Sequence, residues 1–340
     1  MYLEHYGLTE LPFELTPNPQ FLFMTAQHRE ALANLQYGLS KAKAVTLLVG
    51  EAGMGKTTLL KAALGSELCA GVRAVHLTNP GLSREEFVET LARAFQLSDE
   101  ARSSKATLLA ELETQLLERR GRGEIAALVV DEAQRLSEEL LEEVRLLANI
   151  ETATEKLLPL VLSGQPELAE RLNSTRLRQL KQRVALRCEL RPLELADTAA
   201  YIATRIRRAG GEASRLFTRE AVVLIHEISG GIPRTISVVC DNALLGGFAA
   251  GRHPVGTDLI KEVARDFDLK VAREPIEEPV PQARPAERPA GTELPNVTIE
   301  SSTPTSLISS VAARKKEAEQ SRTPPDEPGR RRSFSIFGIR

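Results

Sequence analysis

Two short stretches of this 340-residue chain carry residue types whose spacing suits phosphate chemistry. In GEAGMGKTT, residues 50–58, Gly50 is followed after four residues by Gly55, Lys56 and Thr57. Glycines so placed let backbone N–H groups turn toward an anion, and a helix that begins at the lysine adds the positive end of its dipole. Gly50, Glu51, Ala52, Gly53, Met54, Gly55, Lys56, Thr57 and Thr58 are therefore expected to cradle a nucleoside triphosphate. Lys56 would reach the β and γ oxygens, and the Thr57 hydroxyl would ligate Mg2+.

The second stretch, AALVVDEAQRL at 126–136, is an apolar run that ends in two adjacent acids. Carboxylates at the end of a buried strand need a cation nearby. Asp131 is the acid expected to hold the metal, usually through water. Glu132, directly after it, is placed to orient and polarise an attacking water, which favours hydrolysis over transfer to a small-molecule acceptor. The other role open to Glu132 is to cap the following helix, where the dipole favours an acid anyway.

Three further polar positions extend the set. In VLSGQPEL (161–168), Gln165, or else Ser163, would aim a polar group at the γ-phosphate from a neighbouring strand; ordinary turn chemistry accounts equally for SGQP. TRLRQLKQRVALRCEL (175–190) reads as a basic helix followed by a short strand. Arg183, near the helix end, is placed to reach the nucleotide of a neighbouring subunit, with a solvated basic face as the alternative. In GGIPRT (230–235), Pro233 suits the first position of a helix. Arg234, in the first turn, opposes the dipole and so needs an anion, which a γ-phosphate would supply.

The elements that position these residues follow from periodicity. AVTLLVG (44–50), VRAVHLT (72–78), IAALVVD (125–131) and LPLVLSG (158–164) are short apolar runs. Between them lie helical patterns at 83–95, 104–120 and 137–149. Leu136, Leu140, Val144 and Leu147 make one apolar stripe, with Glu138 and Glu139 in the first turn. Strand and helix alternating in this way predict an α/β fold, a parallel sheet with flanking helices. From about residue 192 the strands stop, and four consecutive helical patterns predict a small all-helical domain.

Composition sets outer limits. An apolar fraction of 42% is enough for real cores in about two domains. The formal net charge of -2 gives no global electrostatic reason to bind nucleic acid or an anionic membrane. Cys69, Cys188 and Cys240 have no paired spacing, so neither zinc nor a disulfide framework is expected, and a reducing, cytoplasmic location is. The N-terminus lacks a signal-peptide pattern, and no apolar run approaches the ~18 residues of a membrane span. Ten of the nineteen prolines fall after residue 272, where Pro, Glu, Ser and Thr predict a disordered tail over 273–340.

Taken together, the phosphate loop, the DE pair, the polar strand end, Arg183 and the GxPR of the helical region resemble an AAA+ ATPase. More narrowly, YLEHYGLTELPFELTPNPQFLFMTAQHREALANLQYGL (2–39), GQPEL and LKQRV resemble the ExeA-like family. Its members are general secretion pathway protein A and ATPases found with surface-polymer, pilus and transposition systems. The resemblance covers about residues 1–268. It implies a P-loop NTPase α/β domain over 1–191 and a helical lid over 192–272, to which composition adds the tail over 273–340. It also implies ATP and Mg2+ as ligands, with Gln165 as sensor 1, Arg183 as arginine finger and Arg234 as sensor 2. Pro12 and Phe13 would lie beside the adenine; by sequence alone they could equally form a hydrophobic lead-in strand over the sheet edge.

The resemblance would imply, for the secretion member of that family, a continuation into a membrane span and an envelope-side peptidoglycan-binding domain. Residues 273–340 read instead as a polar tail, so a direct part in cell-wall remodelling is not expected. RRRSFSIFGIR (330–340) would serve as a docking peptide or a weak contact with an anionic inner membrane, a random basic terminus being the plain alternative. The expected activity is ATP hydrolysis by a homo-oligomer that drives or switches a protein partner in envelope secretion, pilus or surface-polysaccharide assembly. A DNA-bound, ATP-dependent matchmaker is the alternative, motivated by Arg176, Arg178, Lys181, Arg187 and the RIRR run at 205–208. A small-molecule kinase would leave the helical domain without a role.

Overall fold

A computed structural model of the chain describes residues 2–15, 23–78 and 81–269. All of them fall in one compact unit, Met1–Ile276. The tail expected over 273–340, with its basic terminal cluster, lies outside the described residues.

The centre of the fold is a five-stranded parallel sheet ordered β2-β3-β4-β1-β5. Its strands are β1 (Val45–Gly50), β2 (Val72–Leu77), β3 (Ile125–Val130), β4 (Leu160–Gly164) and β5 (Val184–Leu190). β1 and β4 are buried at every residue and β3 at all but its first, because helices cover both faces. Side chains alternate between two cores. Val45, Leu47, Val49, Ala126, Leu128 and Val130 face one, while Leu48, Ala127, Val129 and Val161 face the other.

Before the sheet come α1 (Leu3–Tyr6) and α2 (Ala26–Ser40). Within the α/β part lie α3 (Lys56–Leu64), α4 (Arg84–Ala94), α5 (Asp99–Ser103), α6 (Lys105–Gly121), α7 (Glu138–Leu147), α8 (Pro166–Leu172) and α9 (Arg178–Lys181). Their starts are locally encoded. Ser83 and Glu86 form a reciprocal capping box, and the Ser104 and Ser137 hydroxyls accept from Thr107 and Leu140 N–H groups. The apolar stripe of α7 is buried as its spacing predicts. The basic helix expected from 175, by contrast, is the single turn of α9. Only Leu177 and Leu180 anchor it, and pairing of Val184 with β1 then draws the chain into β5.

After β5 the lid comprises α10 (Leu195–Arg208), α11 (Ala213–Leu216), α12 (Arg219–Ser229), α13 (Pro233–Ala249) and α14 (Thr257–Asp266). Tyr2, Tyr6, Leu8 and Phe13 pack into this helical core, although the sequence groups them with the α/β domain. Tyr6 Oη donates to the Leu244 carbonyl at 3.0 Å, and Thr9 N–H donates to that of Ala209 at 2.8 Å. The lead-in strand weighed for this segment is therefore not what forms: residues 2–15 hold no strand and belong to the lid core.

Candidate nucleotide site

β1 ends at Gly50, and the chain turns through a loop into α3. Gly53 and Gly55 hold φ of 85 and 87°, the left-handed region where a Cβ is disfavoured. The turn points the start of α3 into a cavity of about 430 Å³, within the range of small-molecule sites. Ala52, Gly53, Met54, Gly55, Lys56, Thr57 and Thr58 line it, together with Glu132 and Arg234.

Lys56 is 5% exposed, and its Nζ donates to the carbonyls of Gly50 (2.7 Å) and Glu51 (3.0 Å). Burial pushes its pKa below the ordinary lysine value, while Glu132, Asp131, Glu51 and Glu167 pull it back up. A cationic group held by neutral carbonyls beside an acid pair suits phosphate oxygens, which would replace the carbonyls as stronger acceptors.

β4 lies between β1 and β3, so the loop after β1 and the acids after β3 face each other across one strand. Thr57 Oγ1 spans that gap and donates to Asp131 Oδ2 at 2.7 Å. Asp131 Oδ1 accepts the Glu132 N–H at 3.0 Å. A hydroxyl paired with a carboxylate is an all-oxygen donor set of the kind that Mg2+ takes, so the residues present fit that ion.

Glu132 sits at φ 52°, uncommon for a residue with a Cβ and of the kind that concentrates at functional positions. It precedes a one-turn 3-10 helix, Ala133–Arg135, yet its side chain makes no cap hydrogen bond to that turn. The carboxylate instead accepts from Gln134 Nε2 at 2.7 Å and faces the cavity.

The opposite wall comes from the lid and the N-terminal segment. Leu193, Tyr201, Arg205, Pro233 and Ser237 contribute from the lid, and Glu14, Leu15, Phe23 and His28 from residues before β1. Arg205, 9% exposed, donates from Nε to the Pro12 carbonyl (2.5 Å), from Nη1 to Tyr201 Oη (2.6 Å) and from Nη2 to the Glu14 carbonyl (3.1 Å). His28 packs behind the loop, its Nδ1 2.7 Å from Thr25 Oγ1. None of these positions carries a local signal. They become neighbours only when residues nearly 200 apart fold together.

Other expected positions fall elsewhere. Pro12 and Phe13 do not line the cavity: Phe13 is 1% exposed, its ring edge-on to Phe217 in the lid core, and Glu14 and Leu15 reach the cavity in their place. Gln165 opens α8 beyond the lining, and the Ser163 hydroxyl is buried in β4 without a partner. Arg183 precedes Val184, which pairs with Val45 at the far end of β1 from the loop. Among the arginines considered for DNA, Arg205 is spent internally, and Arg176 and Arg187 are engaged with Glu138 and Glu189. No helix of the described residues is long and apolar enough to cross a membrane.

Known proteins share this fold. A family profile described as "AAA domain" matches residues 39–172. The chain is 40% identical over 255 residues to general secretion pathway protein A of Aeromonas hydrophila, covering 75% of this chain and 46% of that protein. It thus spans about half the length of this curated relative. Among solved structures, CDC6P from Pyrobaculum aerophilum superimposes with a TM-score of 0.57 at 17% identity, covering 75% of this chain and 70% of that one. The ORC2 protein of Aeropyrum pernix gives 0.56 at 17%, over 75% and 71%. The Walker-type ATPase PABY2304 of Pyrococcus abyssi gives 0.52 at 20%, over 76% and 77%. At these identities the structural likeness speaks to the fold alone.

Proposed function

Because the chain is an AAA+ P-loop protein related to general secretion pathway protein A, we propose that it binds ATP with Mg2+ and hydrolyses it. Hydrolysis would drive or switch a protein partner in secretion, pilus or surface-polysaccharide assembly. The observation that carries the catalytic part is the Thr57–Asp131 hydrogen bond, with Glu132 beside it on the cavity wall.

In this reading the loop amides and Lys56 bind the phosphates, and Thr57 and Asp131 hold the metal. Bound Mg2+ neutralises charge on the phosphate oxygens. Glu132 orients a water and takes its proton as the oxygen attacks the γ-phosphorus, while the bond from that phosphorus to the β–γ bridging oxygen breaks and ADP leaves. Arg234, at the start of α13, answers the γ-phosphate and carries its presence to the lid. Arg183 acts on a neighbouring copy. The pathway rests on the relative's name and on 40% identity, so the partner is proposed at the level of envelope assembly.

The test is ATP turnover and ATP binding in Glu132→Gln. Loss of a general base costs about 10²-fold or more, while binding should persist because the loop is untouched. Turnover at the wild-type rate would refute the assignment.

A further inference from the structure

Hydrolysis as described makes no use of Gln134, a polar side chain bonded directly to Glu132. Gln134 sits in the short turn after the acid pair, and its amide faces two ways. Nε2 donates to Glu132 Oε2 at 2.7 Å, and Oε1 accepts the backbone N–H of Gln165 at 3.1 Å. Its own carbonyl accepts from Arg171 Nη1 at 2.5 Å. Gln165 is the cap residue of α8 and Arg171 lies in that helix's last turn, so Gln134 is held from both ends of α8.

The neighbours are shaped around this amide. A Cβ on Gly164 would come within 2.8 Å of both Gln134 Oε1 and Leu168 Cδ2, so a side chain at the last residue of β4 would have to displace the amide and Leu168. The Glu132 backbone is already fixed in the left-handed region, but its carboxylate would still turn about its side-chain torsions. A donor on one oxygen removes that freedom and leaves the other oxygen to a water. An amide is suited to the task because it donates and accepts at once.

We propose that Gln134 is the positioning residue that aims the Glu132 carboxylate, and that it ties this aim to the seat of α8 at the end of β4. The proposal rests on Glu132 being the base. The hydrolysed water is the same, its proton passes to Glu132 as before, and Gln134 takes no part in bond making.

The experiment uses the full chain with ATP and Mg2+, comparing wild type, Gln134→Glu, Gln134→Met and Glu132→Gln in steady-state turnover, ATP binding and thermal melting. Gln134→Glu keeps an oxygen for the Gln165 N–H, loses the donor to Glu132 and sets a second carboxylate against it, so the aim of Glu132 is opposed as well as released. The expected result is a fall in kcat of about 10- to 100-fold, as for a misaimed catalytic group. KM for ATP should stay within about twofold and the melting temperature near wild type. Gln134→Met, which also abandons the Gln165 N–H, should lose turnover similarly and melt lower.

Wild-type turnover in Gln134→Glu beside an inactive Glu132→Gln would overturn this inference alone. Loss of ATP binding and melting temperature together in Gln134→Glu would also overturn it, showing a structural role only. Wild-type turnover in Glu132→Gln would overturn the base assignment, and this inference with it.

Discussion

The backbone N–H of Arg234 donates to the carbonyl oxygen of Gly53 at 3.2 Å, so the first turn of α13 rests directly on the phosphate loop. Two segments about 180 residues apart in sequence thereby share one wall of the cavity. The contact is close. A Cβ built on Gly53 would lie 2.7 Å from Arg234 Cβ and 3.2 Å from Ile232 Cγ2.

Gly53 and Gly55 have nearly the same φ, yet a Cβ on Gly55 meets nothing within 4 Å. Alanine at either position should cost about 1–2 kcal/mol in backbone strain. Only Gly53→Ala should also push the lid away. The expectation is a several-fold weaker ATP affinity for Gly55→Ala and a further loss of about tenfold for Gly53→Ala, read with a fluorescent ATP analogue. Equal losses would mean that the lid does not bear on the loop in solution.

Arg183 stands at the start of β5. Val184 pairs with Val45 and Leu190 with Gly50, so the length of a strand separates the arginine from its own phosphate loop. At about 3.3 Å per residue that is roughly 20 Å, beyond the reach of a side chain. An arginine finger at Arg183 would therefore have to act on another copy's nucleotide. Specific ATPase activity should rise with protein concentration, and Arg183→Ala should lose that rise, by about 10³-fold if the residue is an arginine finger. Flat activity with an unaffected variant would assign Arg183 to a different surface.

His28 is 3% exposed, and burial lowers its pKa from the ordinary 6.5, against weaker opposition from the Met54 backbone and the charge of Asp197. Between the lowered value and 6.5 the unfolded chain binds a proton that the folded chain does not. The stabilising contribution is thus complete above about pH 7 and is lost as pH falls. Melting temperature should drop more steeply from about pH 7.5 to about pH 5.5 in wild type than in His28→Gln. Parallel slopes would show that His28 titrates normally.

The three cysteines are buried, and burial raises all three thiol pKa values, that of Cys188 to about 11. Thiolate is the reactive form, so the folded chain should resist alkylation near neutral pH. Mass spectrometry after iodoacetamide should find no adducts in the native protein and three in denaturant. Rapid native labelling at Cys188 would indicate opening between α2 and β5, where Cys188 Sγ lies 3.9 Å from the Ala31 carbonyl.

Much of the site is legible in the sequence because its chemistry is local. Gly55, Lys56 and Thr57 are consecutive, the glycines are required by the turn itself, and the DE pair ends a strand visible as an apolar run. The same holds for Ser83 and Ser137, whose hydroxyls meet N–H groups three residues on. Gln134 stood in plain view two residues after Glu132. Its role shows only once β4 brings Gln165 to its other side.

By itself the sequence determined the alternation of strand and helix, the phosphate loop, the acid pair and the shift to helices after residue 192. Each depends on contacts within a few residues or on a repeating period. Only the tertiary structure decided that residues 2–13 join the lid core, that Phe13 packs into that core and does not line the cavity, and that Arg205 is an internal clasp. It also decided which end of β5 carries Arg183. These outcomes depend on strand order and on apolar packing between segments about 200 residues apart, and burial is non-directional: it says that Phe13 must be covered, not that Phe217 will cover it.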